Sequence, residues 1–298
     1  MTGERERKHG RIRTLIQLLS TVFLNGYAAG FAGGKLYTGA GKMICVPVLN
    51  CYSCPGALGS CPIGSLQAVL GGHRHMIAFY VLGTLMLVGT LVGRLVCGFL
   101  CPFGFIQDLL YKIPVKKIKP APGADRYFRY IKYFILFIFV LMLPVVWINA
   151  FEIPTPFFCK YICPAGTLEG GIPHVLMNES LRKMAGALFN WKLLLLIFFV
   201  VGSVFISRFF CRYFCPLGAF YAIFNRISFY SMALDKEKCI DCKKCESICP
   251  MGVEVTKKIN TGECIRCGKC KAGCPADAIR SGFMLKNTGA AEKAEDGR

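Results

Sequence analysis

Two runs near the C-terminus limit this chain more than any other feature. CIDCKKCESICP begins at Cys239 and CIRCGKCKAGCP at Cys264, and both read C-x2-C-x2-C-x3-C-P. Three thiolates at that spacing hold three irons of one cubane, while the fourth cysteine of each run reaches across to the other cubane. One 4Fe-4S cluster is therefore expected on Cys239, Cys242, Cys245 and Cys274, and a second on Cys264, Cys267, Cys270 and Cys249. Pro250 and Pro275 turn the chain after each crossing ligand. Zinc sites also use C-x2-C pairs, but the doubled, proline-terminated spacing fits iron–sulfur better. The expected module is a small α+β domain over 235–283, followed by a polar tail, 284–298, with the composition of a disordered segment.

The remaining cysteines form a second pattern. CPIGSLQAVL begins at Cys61, CPFGFIQDLL at Cys101, CPAGTLEGGI at Cys163 and CPLGAFYAIF at Cys215. Three of these have a cysteine four residues earlier, Cys97, Cys159 and Cys211; Cys61 instead follows Cys51 and Cys54. Cysteine before proline suits a helix cap followed by a first helical position. Each thiolate would then sit at a helix N-terminus, where the dipole and free N–H groups favour negative charge. The glycine would let backbone approach the sulfur.

With 54% of residues hydrophobic and 18% charged, the composition is that of a membrane protein rather than a soluble domain. Four segments are long enough to cross a bilayer: Thr14 to Gly33, Met76 to Val96, Tyr130 to Ala150 and Trp191 to Ser207. Lysine and arginine crowd the N-terminus (residues 1–13) and the loop from Lys112 to Arg129, and are sparser in the other two loops. By the positive-inside rule both termini and the second loop are cytoplasmic. The expected fold is thus mainly α: about four transmembrane helices over 14–234 with an internal duplication, then the two-cluster module. The formal charge of +19 is partly offset once thiolates bind iron; the rest suits a membrane surface or an acidic partner, with nucleic acid the weakest reading.

This topology sorts the cysteines. Cys97, Cys101, Cys211 and Cys215 reach the cytoplasmic face and supply one 4Fe-4S set. Cys51, Cys54, Cys61, Cys159 and Cys163 share the outer face, where one cluster needs four of them and Cys45 is a further candidate. Outside the cytoplasm these six could pair as disulfides instead. Clusters at opposite surfaces would be separated by about 30 Å of hydrocarbon. A membrane quinone is the expected carrier across that gap, with direct transfer between clusters sunk into the membrane as the second option.

Other polar residues have competing explanations. Gln67, Gln107 and Asp108 could bond a quinone or be helix-surface polarity, Arg94 and Arg208 are expected to snorkel to the inner surface, and His73 and His75 suit a membrane interface better than haem ligation. His174 is expected to be structural, and interface anchoring accounts for most of the aromatics. No nucleotide-binding glycine loop or nucleophile triad is present, so redox relay is the supported chemistry.

Membrane segments joined to CGFLCP and CRYFCP, with the doubled cysteine run behind them, resemble the polyferredoxin membrane proteins associated with periplasmic nitrate and nitrous-oxide reduction. The resemblance covers residues 12 to 283 and is nearest to an anaerobe-type branch known simply as 4Fe-4S binding proteins; the large flavin-binding domain of the nitrous-oxide relatives is lacking. It implies electron transfer between a cytoplasmic donor, such as a ferredoxin or a flavoprotein, and a quinone or extracytoplasmic reductase. An alternative use of the same clusters is redox sensing or metalloenzyme maturation.

Overall fold

The structure, a computed structural model, describes residues 2–71, 76–118, 120–147 and 155–284. The expectations placed on His73 and His75, and on the tail beyond Met284, lie outside those residues.

The described chain is mainly helical and ends in one two-stranded sheet. Two helices, Gly123–Val146 and Ala187–Phe205, are long and apolar enough to cross a membrane. They turn Phe134, Phe137, Leu194 and Ile197 outward, a surface suited to lipid. The Met76–Val92 helix is shorter but exposes Phe79 and Leu87 in the same way. Pro144 supplies no N–H to the turn before it, and that turn widens into a π-helical stretch over Leu136–Met142.

The first expected span differs from the sequence reading. One helix runs Thr2–Leu24 and stops, because the Leu24 carbonyl accepts from the Leu58 N–H and Tyr27 N–H donates to the Gly56 carbonyl. A turn at 54–58 thus covers the helix end, and a separate short helix, Ala28–Gly33, follows. The charged half of Thr2–Leu24 lies against the C-terminal module, with Arg5 paired to Asp277 and His9 bonded to the Cys267 carbonyl at 2.8 Å.

Three of the Cys-Pro-x-Gly motifs open helices as expected: Pro62–Leu70, Pro102–Leu110 and Pro216–Phe224, each capped by its cysteine with proline in the first turn. Cys163 likewise precedes a helical segment. The motif glycine donates its N–H to the capping sulfur, at 3.4 Å for Gly166 to Cys163 and 3.3 Å for Gly218 to Cys215. These short helices lie inside the helical body, and their cysteines belong to its core.

In the C-terminal module β1, Tyr230–Leu234, pairs antiparallel with β2, Ile279–Phe283, placing Tyr230 opposite Phe283 and Leu234 opposite Ile279. The first strand therefore starts ahead of the cysteine run. The chain between the strands carries both runs and two single-turn helices, Lys244–Ser247 and Lys269–Ala272.

Candidate metal centres

The two runs enclose two small cavities. Cys249, Cys264, Cys267 and Cys270 line one, with Met251, Val253 and Ile265; Cys239, Cys242, Cys245 and Cys274 line the other, with Leu234 and Ile279. Each cavity thus combines three closely spaced cysteines with the distant one from the other run. Burial pushes the Cys264 thiol up to about 12 and also raises Cys249, so these sulfurs stay protonated until a cation compensates them.

In the helical body Cys97, Cys101, Cys211 and Cys215 come together. The Cys211 and Cys215 thiols lie side by side, and Cys97 and Cys101 lie within electrostatic reach of Cys211. All four are buried. Arg94 and Arg208 do not snorkel: both are fully buried, because each spends its guanidinium on the opposite half. Arg94 Nη2 donates to the Cys211 carbonyl at 3.4 Å, and Arg208 Nη1 donates to the Cys97 carbonyl. The motif glycines make room for this exchange. A Cβ added at Gly104 would lie 3.3 Å from Arg208 Nη1, and one at Gly218 would lie 3.2 Å from Arg94 Nη2. Their charge is balanced further out, Arg208 with Asp108, which also pairs with Arg13, and Arg94 with Glu263, which also pairs with the buried Lys132.

A second set forms from Cys51, Cys61, Cys159 and Cys163. Cys163 is in electrostatic contact with the other three, and Cys51 with Cys61 and Cys159. Cys54 is buried beside the N–H groups of Gly56 and Ala57 and, like Cys51, lies within electrostatic reach of Glu169 and Lys42. Cys45 is buried beside Cys61. Glu169 Oε2 accepts the Cys51 N–H at 2.7 Å, and burial raises this carboxyl to about 7. His174 bonds the Ser53 carbonyl at 2.9 Å, a structural contact that ties two loops together.

The polar residues named as quinone contacts are occupied elsewhere. Gln107 is buried; its Nε2 donates to Cys211 Sγ at 3.0 Å and its Oε1 accepts the Phe210 N–H at 3.1 Å. Gln67 repeats this in the other set, donating to Cys159 Sγ at 3.4 Å and accepting the Phe158 N–H at 2.9 Å. Asp108 holds Arg208 and Arg13. Each glutamine stands six residues after its Cys-Pro cysteine, where the other two repeats have Glu169 and Tyr221. Aligning that sixth position across the repeats would have exposed all four residues in the sequence. Several aromatics assigned to interface anchoring also serve the interior: Phe103, Phe199 and Phe210 stack edge to face at 5.0 and 5.2 Å beside the Cys97 set.

The two sets in the helical body are not at opposite surfaces. Cys101 Sγ is 4.0 Å from the Leu49 carbonyl oxygen, and the backbone of the next residue, Asn50, lies beside the Cys61 sulfur. The loop carrying Cys51 enters the helical body, so the 30 Å separation that called for a carrier does not arise. On the other side, a Cβ at Gly98 would fall 2.5 Å from the Ile265 carbonyl oxygen, which places Cys97 next to the run that begins at Cys264. Asn225 Nδ2 donates to the Cys264 carbonyl at 2.9 Å, and Arg266 Nη1 donates to the Val92 carbonyl at 3.0 Å, which lock that contact.

The donor sets suit a multinuclear cluster. Among the described residues no three histidine, cysteine or acidic side chains converge on a single ion, and the eighteen cysteines are free. Several of the buried N–H donors that lack a partner stand beside the cysteine sets: Asn50 Nδ2, Arg94 Nε and Arg266 Nε. Buried polar groups seldom stay unpaired, and cluster sulfurs are the acceptors such donors ordinarily meet.

Comparison with known proteins agrees with this chemistry. A family model described as a 4Fe-4S binding domain matches residues 74–120, 133–172 and 191–234, and two further 4Fe-4S binding domain models match 232–253 and 257–280. An uncharacterized protein of Methanocaldococcus jannaschii is 33% identical over 222 residues, covering 72% of this chain and 82% of its own length. A second from that organism is 31% identical over 232 residues, covering 76% and 79%. YccM of Escherichia coli, named for electron transport, is 27% identical over 192 residues, covering 62% of this chain and 49% of its own. No solved structure matches.

Proposed function

The chain belongs to the membrane polyferredoxin family of 4Fe-4S binding proteins, and from that membership we propose that it is a multi-pass membrane protein relaying electrons between a cytoplasmic donor and a quinone or extracytoplasmic acceptor. The family models are described by 4Fe-4S binding, and YccM of Escherichia coli is named for electron transport. Bound 4Fe-4S clusters would supply reversible one-electron chemistry. The protein's own residues hold the sulfurs, exclude water and set the order of the centres.

The observation that carries the reading is the serial contact of four cysteine sets. Cys239, Cys242, Cys245 and Cys274 share a module with Cys249, Cys264, Cys267 and Cys270. The second of these abuts Cys97, Cys101, Cys211 and Cys215 through Gly98 and Ile265. That set borders Cys51, Cys61, Cys159 and Cys163 through Leu49 and Asn50. Cys51, in electrostatic contact with Cys61, Cys159 and Cys163, is preferred to Cys54 as the fourth ligand of that set. Cys242 is the exposed ligand of the terminal set, which makes that end of the module the natural place of entry for a soluble donor.

A multi-pass arrangement is supported by the two long apolar helices and the lipid-suited face of Met76–Val92, and the basic N-terminus packed beside the C-terminal module supports placing both termini on one, cytoplasmic side. Iron and acid-labile sulfide analysis of the purified protein, combined with EPR, tests the whole reading. Four clusters per chain are expected, and two clusters' worth of iron would reduce the protein to a membrane-tethered ferredoxin.

A further inference from the structure

The segment Pro47–Asn50 is irregular yet buried: Val48, Leu49 and Asn50 are 1%, 2% and 0% exposed. Irregular backbone at such depth needs polar partners, and this strap finds them at two places. The Pro47 carbonyl accepts from the Tyr221 hydroxyl at 3.1 Å. Beyond it, the Leu49 carbonyl oxygen lies 4.0 Å from Cys101 Sγ, and the Asn50 backbone lies beside the Cys61 sulfur. One peptide unit therefore touches a cysteine of each set. Tyr221 lies within electrostatic reach of Cys97 and Cys101 from one set and of Cys61 from the other.

A second observation is independent of the first. The Asn50 side chain is wholly buried, and neither its Nδ2 nor its Oδ1 has a partner. A primary amide offers two N–H donors, and leaving such a group buried and unpaired costs roughly 1–3 kcal/mol. Its backbone lies beside Cys61, so sulfur bound at the Cys51 set is the acceptor within its surroundings.

We infer that the Pro47–Asn50 strap is the direct electron link between the two centres of the helical body, and that Asn50 is a positioning residue whose amide donates to cluster sulfur at the Cys51 set. The inference rests on the proposed function. With clusters bound, Cys97, Cys101, Cys211 and Cys215 would hold the one-electron donor in the outward direction, oxidised by one electron, and Cys51, Cys61, Cys159 and Cys163 the acceptor, reduced by that electron. No proton moves, no bond is made or broken, and no quinone stands between them; the inward step is the reverse.

The test uses the full-length protein purified with its clusters. EPR at graded reduction should show magnetic interaction between the two membrane centres once both are reduced. Asn50→Leu should keep full iron content while lowering the midpoint potential of one membrane centre and leaving both ferredoxin centres unchanged. Asn50→Asp, which keeps the shape but removes the N–H donors, should shift the same centre. Four clusters without magnetic interaction between the membrane pair would overturn the link. Unchanged potentials in iron-replete Asn50→Leu and Asn50→Asp would overturn the role of the amide. Should Asn50→Leu fail to assemble, Asn50→Asp and the interaction in the unaltered protein still decide. A protein holding only two clusters would instead sink the proposed function, and this inference with it.

Discussion

Gln107 and Cys211 stand 104 residues apart in the chain, and the glutamine Nε2 donates to the cysteine Sγ across 3.0 Å. The bond crosses between the two halves of the internal repeat, and Gln67 makes the equivalent one to Cys159. Each centre in the helical body is thus clamped by a residue that neither binds metal nor belongs to the cysteine pattern.

Gln107→Leu should keep the side-chain bulk but orphan the Phe210 N–H and remove a donor from Cys211. A loss of about 1–3 kcal/mol in stability is expected from the unsatisfied backbone group, together with a lower midpoint potential for the centre at the Cys97 set. Denaturant unfolding in detergent and EPR-monitored redox titration measure the two effects separately. A potential equal to that of the unaltered protein would rule out tuning through the N–H···S bond.

Arg208→Met should be among the costlier single changes, because it leaves the partly buried Asp108 with only Arg13 and Gln17 and removes the donor to the Cys97 carbonyl. Breaking one partner of a buried ion pair costs about 3–5 kcal/mol. Thermal unfolding should fall accordingly, and the doubly altered Arg208→Met, Asp108→Leu protein should recover part of the loss. An Arg208→Met protein as stable as the unaltered one would mean that the guanidinium contributes nothing beyond packing.

Gly98→Val should separate the C-terminal module from the helical body, since even a Cβ would meet the Ile265 carbonyl at 2.5 Å. Backbone amides from 262 to 267 should exchange faster with deuterated solvent, and magnetic interaction between the Cys97 and Cys264 centres should weaken. Iron content should remain at four clusters. Unaltered exchange in that stretch would show that the two parts are not held together there.

Cys51→Ser and Cys54→Ser separate the members of the outer group. Cys51→Ser should lose about one cluster's iron or alter the EPR signal of one membrane centre, whereas Cys54→Ser should retain the full complement, because it is Cys51 that is in electrostatic contact with Cys61, Cys159 and Cys163. Cluster loss in Cys54→Ser with an intact signal in Cys51→Ser would reverse the assignment.

The eight cysteines of the C-terminal module and the four Cys-Pro-x-Gly caps were legible in the sequence because their geometry is local. Three thiols within seven residues, or a cysteine one residue before a helical proline, have their relative placement set by a few backbone angles. The mainly helical character was legible for the same reason. The first membrane span was misread because its apolar run gives no sign that a turn at 54–58 will cover the helix end at Leu24.

Arg94, Arg208, Gln67, Gln107 and Asp108 were misread for one common reason. In a chain of apolar segments, the default place for a polar side chain is the membrane surface, and only long-range packing can supply a buried partner that makes the interior cheaper. Such partners here come from the opposite half of the repeat, about a hundred residues away. The same packing decided which outer cysteines meet and brought the Leu49–Asn50 strap between Cys101 and Cys61. Spacing along the chain thus determined what each centre is made of, whereas tertiary structure decided how near the centres stand, because proximity between distant segments is a property of packed helices and not of neighbouring residues.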